Sequence, residues 1–423
     1  MQHLSWSDIV RFGLVQMAIG SIVALTTSTL NRVMVVELAL PAMLPGALVA
    51  FYHGIQLTRP HWGFRSDTGG KRTPWIIGGM FALAAGGVAA TLGTILFAVS
   101  TWLGLIVSVL GFALIGVGAG ASATLLLTFL AASTAPNRRA AASTITWLMM
   151  IFGIASTAGI VGRLLDPYSH MRLLAIVCGV AAIAVCVTVA AMWGIERRVG
   201  RVEQPDKKRV PFFQALAQIW AEPTARRFSV FVLLSMIAYY MQELILEPFA
   251  GHVFGLTPGQ STSMSGLQHA GVFVGMLTVG VSASGLKLGS LKGWTIAGCV
   301  GSAAVLAGIG GAALLHVPPA LLPLVSALGF FNGIFAVGAI GAMMQLAGEG
   351  KQGRDGTRMG LWGAAGAIAS GSGGFLGAAA VDVMRRVVDQ PAEAYATVFI
   401  LESALFMASA LLAIRYVSIK PPR

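Results

Sequence analysis

Long apolar segments separated by short polar stretches are the main pattern of this 423-residue chain. About 20 apolar residues in a helix span a bilayer, and no segment alternates apolar and polar residues over the length of a barrel strand. The pattern therefore predicts an all-α polytopic membrane protein with twelve transmembrane helices. The predicted spans are 12–30, 38–58, 75–98, 104–132, 141–163, 172–194, 228–249, 264–284, 293–315, 319–346, 359–380 and 395–416.

Composition supports this pattern, and charge adds an orientation. Hydrophobic residues make up 56% of the chain and the mean hydropathy is +0.80, which excludes a soluble domain with one buried core. The formal charge of +12 comes from basic residues in the loops, so we expect contact with the bilayer and not with nucleic acid. If the N-terminus is cytoplasmic, 23 of the 28 Lys and Arg residues lie on that side, which predicts two cytoplasmic termini.

A basic, glycine-rich loop, PHWGFRSDTGGKRTP, lies between the second and third spans. Its signature residues are Gly63, Asp67, Gly69, Lys71 and Arg72. Their spacing resembles the loop between helices two and three of the major facilitator superfamily. In this interpretation the loop is a conformational latch, in which Asp67 caps a helix or pairs with Arg138 or Arg139. The alternative is an ordinary basic loop that only sets orientation.

The longest polar interval divides the chain into two halves of six spans each, as the superfamily resemblance implies. The predicted domains are an N-terminal six-helix bundle at 1–194, a cytoplasmic linker at 195–227 and a C-terminal six-helix bundle at 228–423. Within the linker, PFFQALAQIW is predicted to form an amphipathic helix on the membrane surface. A fold of this kind binds substrate between the two halves.

Polar residues within the spans are candidate binding residues, because they are costly in a bilayer. Near the end of the first span, Asn31 and Arg32 precede Glu37, so Arg32 and Glu37 can pair with each other, bind a substrate, or extend to the interface. In the seventh span, Glu243 and Glu247 are four residues apart on one helix face. They suit a proton relay or a cationic ligand, or a structural pair with the arginine of the first helix.

Histidines in two apolar spans are the remaining candidates. A neutral imidazole at His53 or His269 can ligate the magnesium of a chlorin ring, although a hydrogen-bonded packing role is the alternative. His252 and His316 are assigned to outer loops. The three cysteines show no metal-binding spacing, and no nucleophile elbow, Walker loop or prenyl-transferase acidic pair is present, so neither a metal site nor catalysis is predicted.

Two longer stretches carry a more specific resemblance. They begin LTTSTLNRVMVVELALPAMLPGALVAFYHGIQL and PFFQALAQIWAEPTARRFSVFVLLSMIAYYMQELILEPF, and they are similar to the PucC/LhaA family of phototrophic bacteria, also called the bacteriochlorophyll delivery family. The resemblance implies a protein of the bacterial inner (intracytoplasmic) membrane that assists light-harvesting complex assembly. Its cargo would be bacteriochlorophyll without any covalent cofactor, and its partners antenna polypeptides and pigment-synthesis enzymes such as bacteriochlorophyll synthase.

The compact chain favours a smaller subtype of this family, one labelled a bacteriochlorophyll synthase chain. Since the acids of a prenyl transferase are missing, that label is interpreted as association with the pathway and not as catalysis. The polar residues Asn31, Arg32, His53, Glu243, Glu247 and His269 are the candidates for pigment or substrate binding. A proton-coupled transporter of a small solute, which would use Glu243 and Glu247, is the alternative function.

Overall fold

The computed structural model describes residues 4–58, 72–135, 138–199, 223–286, 288–348 and 355–416, and these are helical, with no β-strand among them. We number its twelve long helices α1 to α12. They are Trp6–Glu37, Met43–Ile55, Thr73–Leu96, Thr101–Ser133, Arg139–Leu165, His170–Met192, Pro223–Phe254, Pro258–Val279, Leu291–Leu314, Pro318–Gly348, Asp355–Val387 and Pro391–Tyr416.

Ten helices within the described residues are long and apolar enough to cross a membrane. This confirms the prediction of an all-α, multi-pass membrane protein. The two predicted spans outside that set correspond to α2, a helix of 13 residues that ends in a 3-10 turn at Gln56–Thr58, and to α11.

The first helix is longer than the predicted span 12–30. It begins after Ser5, whose side chain forms a capping box with Asp8, and it continues to Glu37 through two π-helical segments. The chain then breaks at Ala39, which has a φ of 52°, and Pro41 follows, so α2 begins only at Met43 and not at position 38. Arg32 therefore lies inside the helix, more than one turn before its last residue, Glu37.

The helices form two compact units. The first comprises the described residues of Met1–Asp206 and Gly255–Gly266, and the second those of Lys207–Phe254 and Leu267–Arg423. The first turns of α8 thus belong to the first unit. The predicted domain boundaries stay a prediction, and most of the predicted linker, including the amphipathic helix, lies outside the described residues.

Glycines bring helices α3 and α4 into backbone contact in the first unit. A Cβ added to Gly86 would lie 2.6 Å from the amide nitrogen of Ile115, and one added to Gly118 would lie 2.6 Å from the carbonyl oxygen of Gly79. Small residues allow helices to approach this closely, and in a bilayer such packing is a main source of helix association. Helix α1 packs against α5 and α6 in the same unit.

Aromatic side chains fill the interior of the second unit. The ring of Phe249 in α7 contacts Phe399 of α12 at 4.9 Å between centroids, and Phe335 of α10 contacts Phe406 of α12 at 6.1 Å. All four side chains are buried. Helix α12 is therefore packed by one face against both α7 and α10.

Candidate functional site

The end of α1 carries the first group of predicted site residues. Asn31 and Arg32 are each only 2% exposed. The guanidinium of Arg32 donates from Nη1 to Oε1 of Glu37 at 2.7 Å, and from Nη2 to the carbonyl oxygen of Leu256 at 2.7 Å. Of the roles considered for Arg32 and Glu37, the structure shows the ion pair.

A π-helical segment explains how this pair forms. Residues five apart in a regular α-helix point in different directions. The wider turn at Val33–Glu37 is closed by hydrogen bonds between residues five apart, which brings Arg32 and Glu37 to the same side of the helix. Segments of this kind occur often at functional sites, and a helical pattern of 3.6 residues does not reveal them.

The connection between α5 and α6 lies beside this pair. The hydroxyl of Tyr168 is 2.9 Å from Nδ1 of His170. Burial and then the carboxylate of Glu37 raise the pKa of Tyr168 to about 12, while Arg32 acts in the opposite direction. Tyr168 is therefore neutral at physiological pH and sits within the electrostatic field of the Arg32–Glu37 pair.

Asp166 of the same connection caps α8. Its Oδ2 accepts a hydrogen bond from Oγ1 of Thr257 at 2.7 Å, and its Oδ1 accepts one from the backbone N–H of Gly259 at 3.2 Å. A carboxylate at a helix N-terminus satisfies free N–H groups and stabilises the helix dipole. We use the name α1-end cluster for Arg32, Glu37, Asp166, Tyr168 and Leu256, with the capped residues Thr257 and Gly259. Within it, Arg32 forms an ion pair with Glu37, and Asp166 accepts hydrogen bonds from Thr257 and Gly259.

The second unit contains the predicted acids of α7. Glu247 and Gln242 are buried, whereas Glu243, which follows Gln242 in the chain, is half-buried. The carbonyl oxygen of the Gln242 side chain accepts no hydrogen bond from the described residues. His269, on the part of α8 that belongs to this unit, is half-buried.

Glu402 is a site candidate that the sequence analysis did not identify. It is 0% exposed in α12, and neither of its carboxyl oxygens accepts a hydrogen bond from the described residues. It shares a helix face with Phe399 and Phe406, so it lies on the side of α12 that packs against α7 and α10. The signal was present in FILESALF, a lone acid within an apolar span, because such residues are rare and functional by default.

The histidines divide between the two units. His53 of α2 is half-buried, with its ring 4.5 Å from that of Tyr52. His252 was assigned to an outer loop, and that assignment is wrong: it lies in the last turn of α7, where Nδ1 is 3.0 Å from the hydroxyl of Tyr395. The helix continues past Pro248 to Phe254, which the sequence pattern did not indicate.

Of the five predicted latch residues, the structure describes only Arg72. The other four, Gly63, Asp67, Gly69 and Lys71, lie outside the described residues. Arg72 is buried, its backbone N–H donates to Oε1 of Glu196 at 2.6 Å, and its guanidinium lies 5.9 Å from the ring centre of Phe129. Of the two proposed partners of Asp67, Arg138 lies over the ring of Trp6 at 5.2 Å. The latch therefore stays a prediction, and Glu196 is an additional residue at its end.

The two units offer different polar groups for binding. In the part of the chain that the structure describes, no three or more His, Cys, Asp and Glu side chains are grouped to hold a metal ion. The first unit offers a paired polar cluster, and the second offers carboxyl groups in an apolar, aromatic interior. A protonated or ligand-bound carboxyl is the form that such an interior accommodates best.

Comparison with known proteins gives matches over nearly the whole chain. The profile of a family described as "PUCC protein" matches residues 29–420. A relative from Rhodobacter capsulatus named "Bacteriochlorophyll synthase 44.5 kDa chain" is 57% identical over 411 residues, covering 97% of this chain and 95% of that protein. The "Protein PucC" of the same organism is 28% identical over 88% of this chain and 83% of its own length.

Solved structures with the same fold are transporters. The nucleoside transporter NupG matches with a TM-score of 0.72 at 13% identity, over 97% of this chain and 99% of that chain. A transporter of the POT family, in complex with a thioalcohol-conjugated peptide, matches with a TM-score of 0.73 at 11% identity, over 96% and 95% of the two chains. At such low identity the likeness concerns the fold alone, which is the major facilitator fold that the loop signature predicted.

Proposed function

The chain belongs to the PUCC protein family, and from this premise we propose that it is a membrane assembly factor that binds bacteriochlorophyll and delivers it for light-harvesting complex assembly. The observation that carries the proposal is the 57% identity, over 97% of this chain, to a relative whose name refers to bacteriochlorophyll. Its partners would be antenna polypeptides and a pigment-synthesis enzyme such as bacteriochlorophyll synthase. Its location would be the bacterial inner (intracytoplasmic) membrane, with both termini in the cytoplasm.

The word synthase in the name of that relative does not require catalysis by this chain. The family and the transporter fold favour a non-catalytic role in the same pathway. A carrier needs a surface on which a large flat ring can lie against helices, and glycine-rich helices such as α3 and α4 provide small residues for close approach. Bacteriochlorophyll would then be cargo, held without a covalent bond.

The test is an absorption spectrum of the protein purified from a host that makes the pigment. We expect bound chlorin in stoichiometric amount, together with antenna or synthase polypeptides that copurify. His53→Ala should lower the amount of bound chlorin if that imidazole ligates magnesium. His170→Ala is the matched control, since His170 bonds to Tyr168 in the connection between α5 and α6. Repeated purification without chlorin and without these partners would contradict the proposal.

A proton-coupled transporter of a small solute is the second candidate. It is favoured by three carboxyl groups in the second unit, Glu243, Glu247 and Glu402, since acids inside transmembrane helices commonly carry protons or bind substrates. The test is uptake into liposomes driven by a pH gradient, with loss of uptake in Glu247→Gln. Uptake that persists in this variant, or that does not respond to the gradient, excludes proton coupling through Glu247.

A further inference from the structure

An open apolar groove of about 670 Å³ lies in the first unit, where the end of α6 meets the start of α1. Its lining residues are Arg11, Val185, Cys186, Val189, Ala190 and Trp193. This volume is in the range of ligand-binding pockets. Since Val185, Val189 and Trp193 follow one another at four-residue spacing, they form one stripe along α6. The groove is therefore a track for a hydrocarbon chain, open to the bilayer along the side where Cys186 and Ala190 are exposed.

The guanidinium group of Arg11 lies at one end of this track. Nη2 of Arg11 donates to the carbonyl oxygens of Trp193 at 2.6 Å and Ala190 at 3.3 Å, which are among the last carbonyls of α6. These bonds fix the guanidinium. Its Nη1 is 3.6 Å from Oδ1 of Asp8, beyond hydrogen-bond distance, so Nη1 and Nε keep donor capacity for an anion.

The charge around Arg11 is net positive. Asp8 pairs more closely with Arg198, at 3.2 Å, and Arg197 beside it is exposed. The other acid in this part of the fold, Glu196, accepts hydrogen bonds from the backbone N–H groups of Arg72 and Thr73. Among the described residues around the groove, the arginines Arg11, Arg197 and Arg198 thus outnumber the acids Asp8 and Glu196 by three to two.

A positive charge at the end of an apolar track is complementary to an amphiphile with an anionic head and a hydrocarbon tail. Basic sites beside transmembrane helices bind the headgroups of anionic lipids in this way, and the exposed Trp193 is the type of residue that lies at the level of the headgroups. We propose that this groove binds an anionic phospholipid, with its phosphate on Arg11 and one acyl chain along Val185 and Val189. This site is independent of the proposed pigment function.

Native mass spectrometry of the full chain, released from nanodiscs that contain equal phosphatidylglycerol and phosphatidylcholine, tests the proposal. We expect the wild-type protein to retain phosphatidylglycerol in preference to phosphatidylcholine. Arg11→Gln should weaken this binding about tenfold, because it removes a charge-assisted hydrogen bond. Arg415→Gln, which removes an exposed arginine of α12, is the matched control and should bind as the wild type does.

A second variant tests the tail half of the site without altering charge. Val189→Trp fills the track and should displace the lipid while leaving Arg11 in place. Equal retention of the two lipids by the wild-type protein, or unchanged phosphatidylglycerol binding in both variants, overturns the proposal. A neutral ligand, including a chlorin pigment, that is lost in Val189→Trp and kept in Arg11→Gln also overturns it, because the groove would then select for the tail alone.

Discussion

In the first unit, Arg32 is 2% exposed and both of its terminal nitrogens donate hydrogen bonds, to Glu37 and to Leu256. In the second unit, Glu402 is 0% exposed and its two carboxyl oxygens accept none from the described residues. Both groups are ionisable and both lie inside helices of a membrane protein. They differ in their hydrogen bonds: among the described residues Arg32 lacks a partner at Nε alone, whereas Glu402 lacks one at both carboxyl oxygens.

This difference separates structural from functional polar groups. A buried charge that is paired with an opposite charge, as Arg32 is with Glu37, is retained for the fold, and removing its partner is costly. A buried carboxyl without partners lowers stability, and proteins keep such features mainly at sites that bind or move something. Buried amides with one atom that makes no hydrogen bond to the described residues occur in both units, for example Gln16 in the first and Gln242 and Asn332 in the second, so they do not separate the units. Glu402 is the carboxyl group at which we expect ligand or proton chemistry.

The largest effect is expected from Arg32→Ala. It should lower the free energy of unfolding by about 2–4 kcal/mol, because Glu37 and the Leu256 carbonyl both lose their partner. The measurement is thermal unfolding in detergent. Arg163→Ala is the control, since Arg163 is exposed and its loss should cost less than about 0.5 kcal/mol. Equal effects of the two substitutions would show that the α1-end cluster does not hold the unit together.

Glu402→Met should have the opposite effect and stabilise the protein. Replacing a buried carboxyl that accepts no hydrogen bond from the described residues with an apolar side chain of similar length should raise the free energy of unfolding by about 1–3 kcal/mol. Glu393→Met, in the exposed first turn of the same helix, is the control and should lower it by about 0.5 kcal/mol, because an acid there stabilises the helix dipole. If Glu402→Met destabilises the protein, Glu402 has a partner and the contrast between the units fails.

A smaller effect is expected at the cap of α8. Asp166→Ala should cost about 1 kcal/mol, because the Gly259 N–H and the Thr257 hydroxyl lose their acceptor. Asp166→Asn keeps an acceptor oxygen and should cost less. Thermal unfolding of the two variants, compared with Arg32→Ala, shows how the stability of the cluster is divided between the ion pair and the cap.

The sequence predicted the helices well, whereas the contacts made by the candidate site residues depend on local structure that it does not show. Hydropathy identified all twelve helices, because each span is a long apolar segment. It placed the first and second spans poorly, since Asn31 and Arg32 suggested a helix end, whereas α1 buries both residues and continues through a π-helical segment. The pairing of Arg32 with Glu37 depends on that segment, which periodicity does not show.

Contacts between distant parts of the chain were beyond sequence reasoning. The bond from Arg32 to Leu256 joins residues 224 positions apart, and the cap that Asp166 provides to α8 depends on the same tertiary packing. Glu402 is different, because a lone acid in an apolar span was visible. It lies outside the motif stretches of the first and seventh spans, so only the rule that any intramembrane acid is a functional candidate identifies it.

The smallest expected effect is a change of stability with pH. It tests whether the α1-end cluster excludes water in solution. Burial and Glu37 raise the pKa of Tyr168 from 10.0 to about 12, so the folded state holds the phenolic proton more tightly than the unfolded state. The resulting stabilisation is fully present below pH 10 and is lost as the pH rises through about 12. Tyr168→Phe should remove this loss, and the tyrosinate absorption that differs between the two proteins should develop near pH 12. In Arg32→Ala the pKa of Tyr168 should be higher than in the wild type, because the positive charge of Arg32, which lowers this pKa, is removed. A Tyr168 that titrates near pH 10 would mean that water reaches the cluster, and the contrast between the Arg32–Glu37 pair and Glu402 would then be weaker.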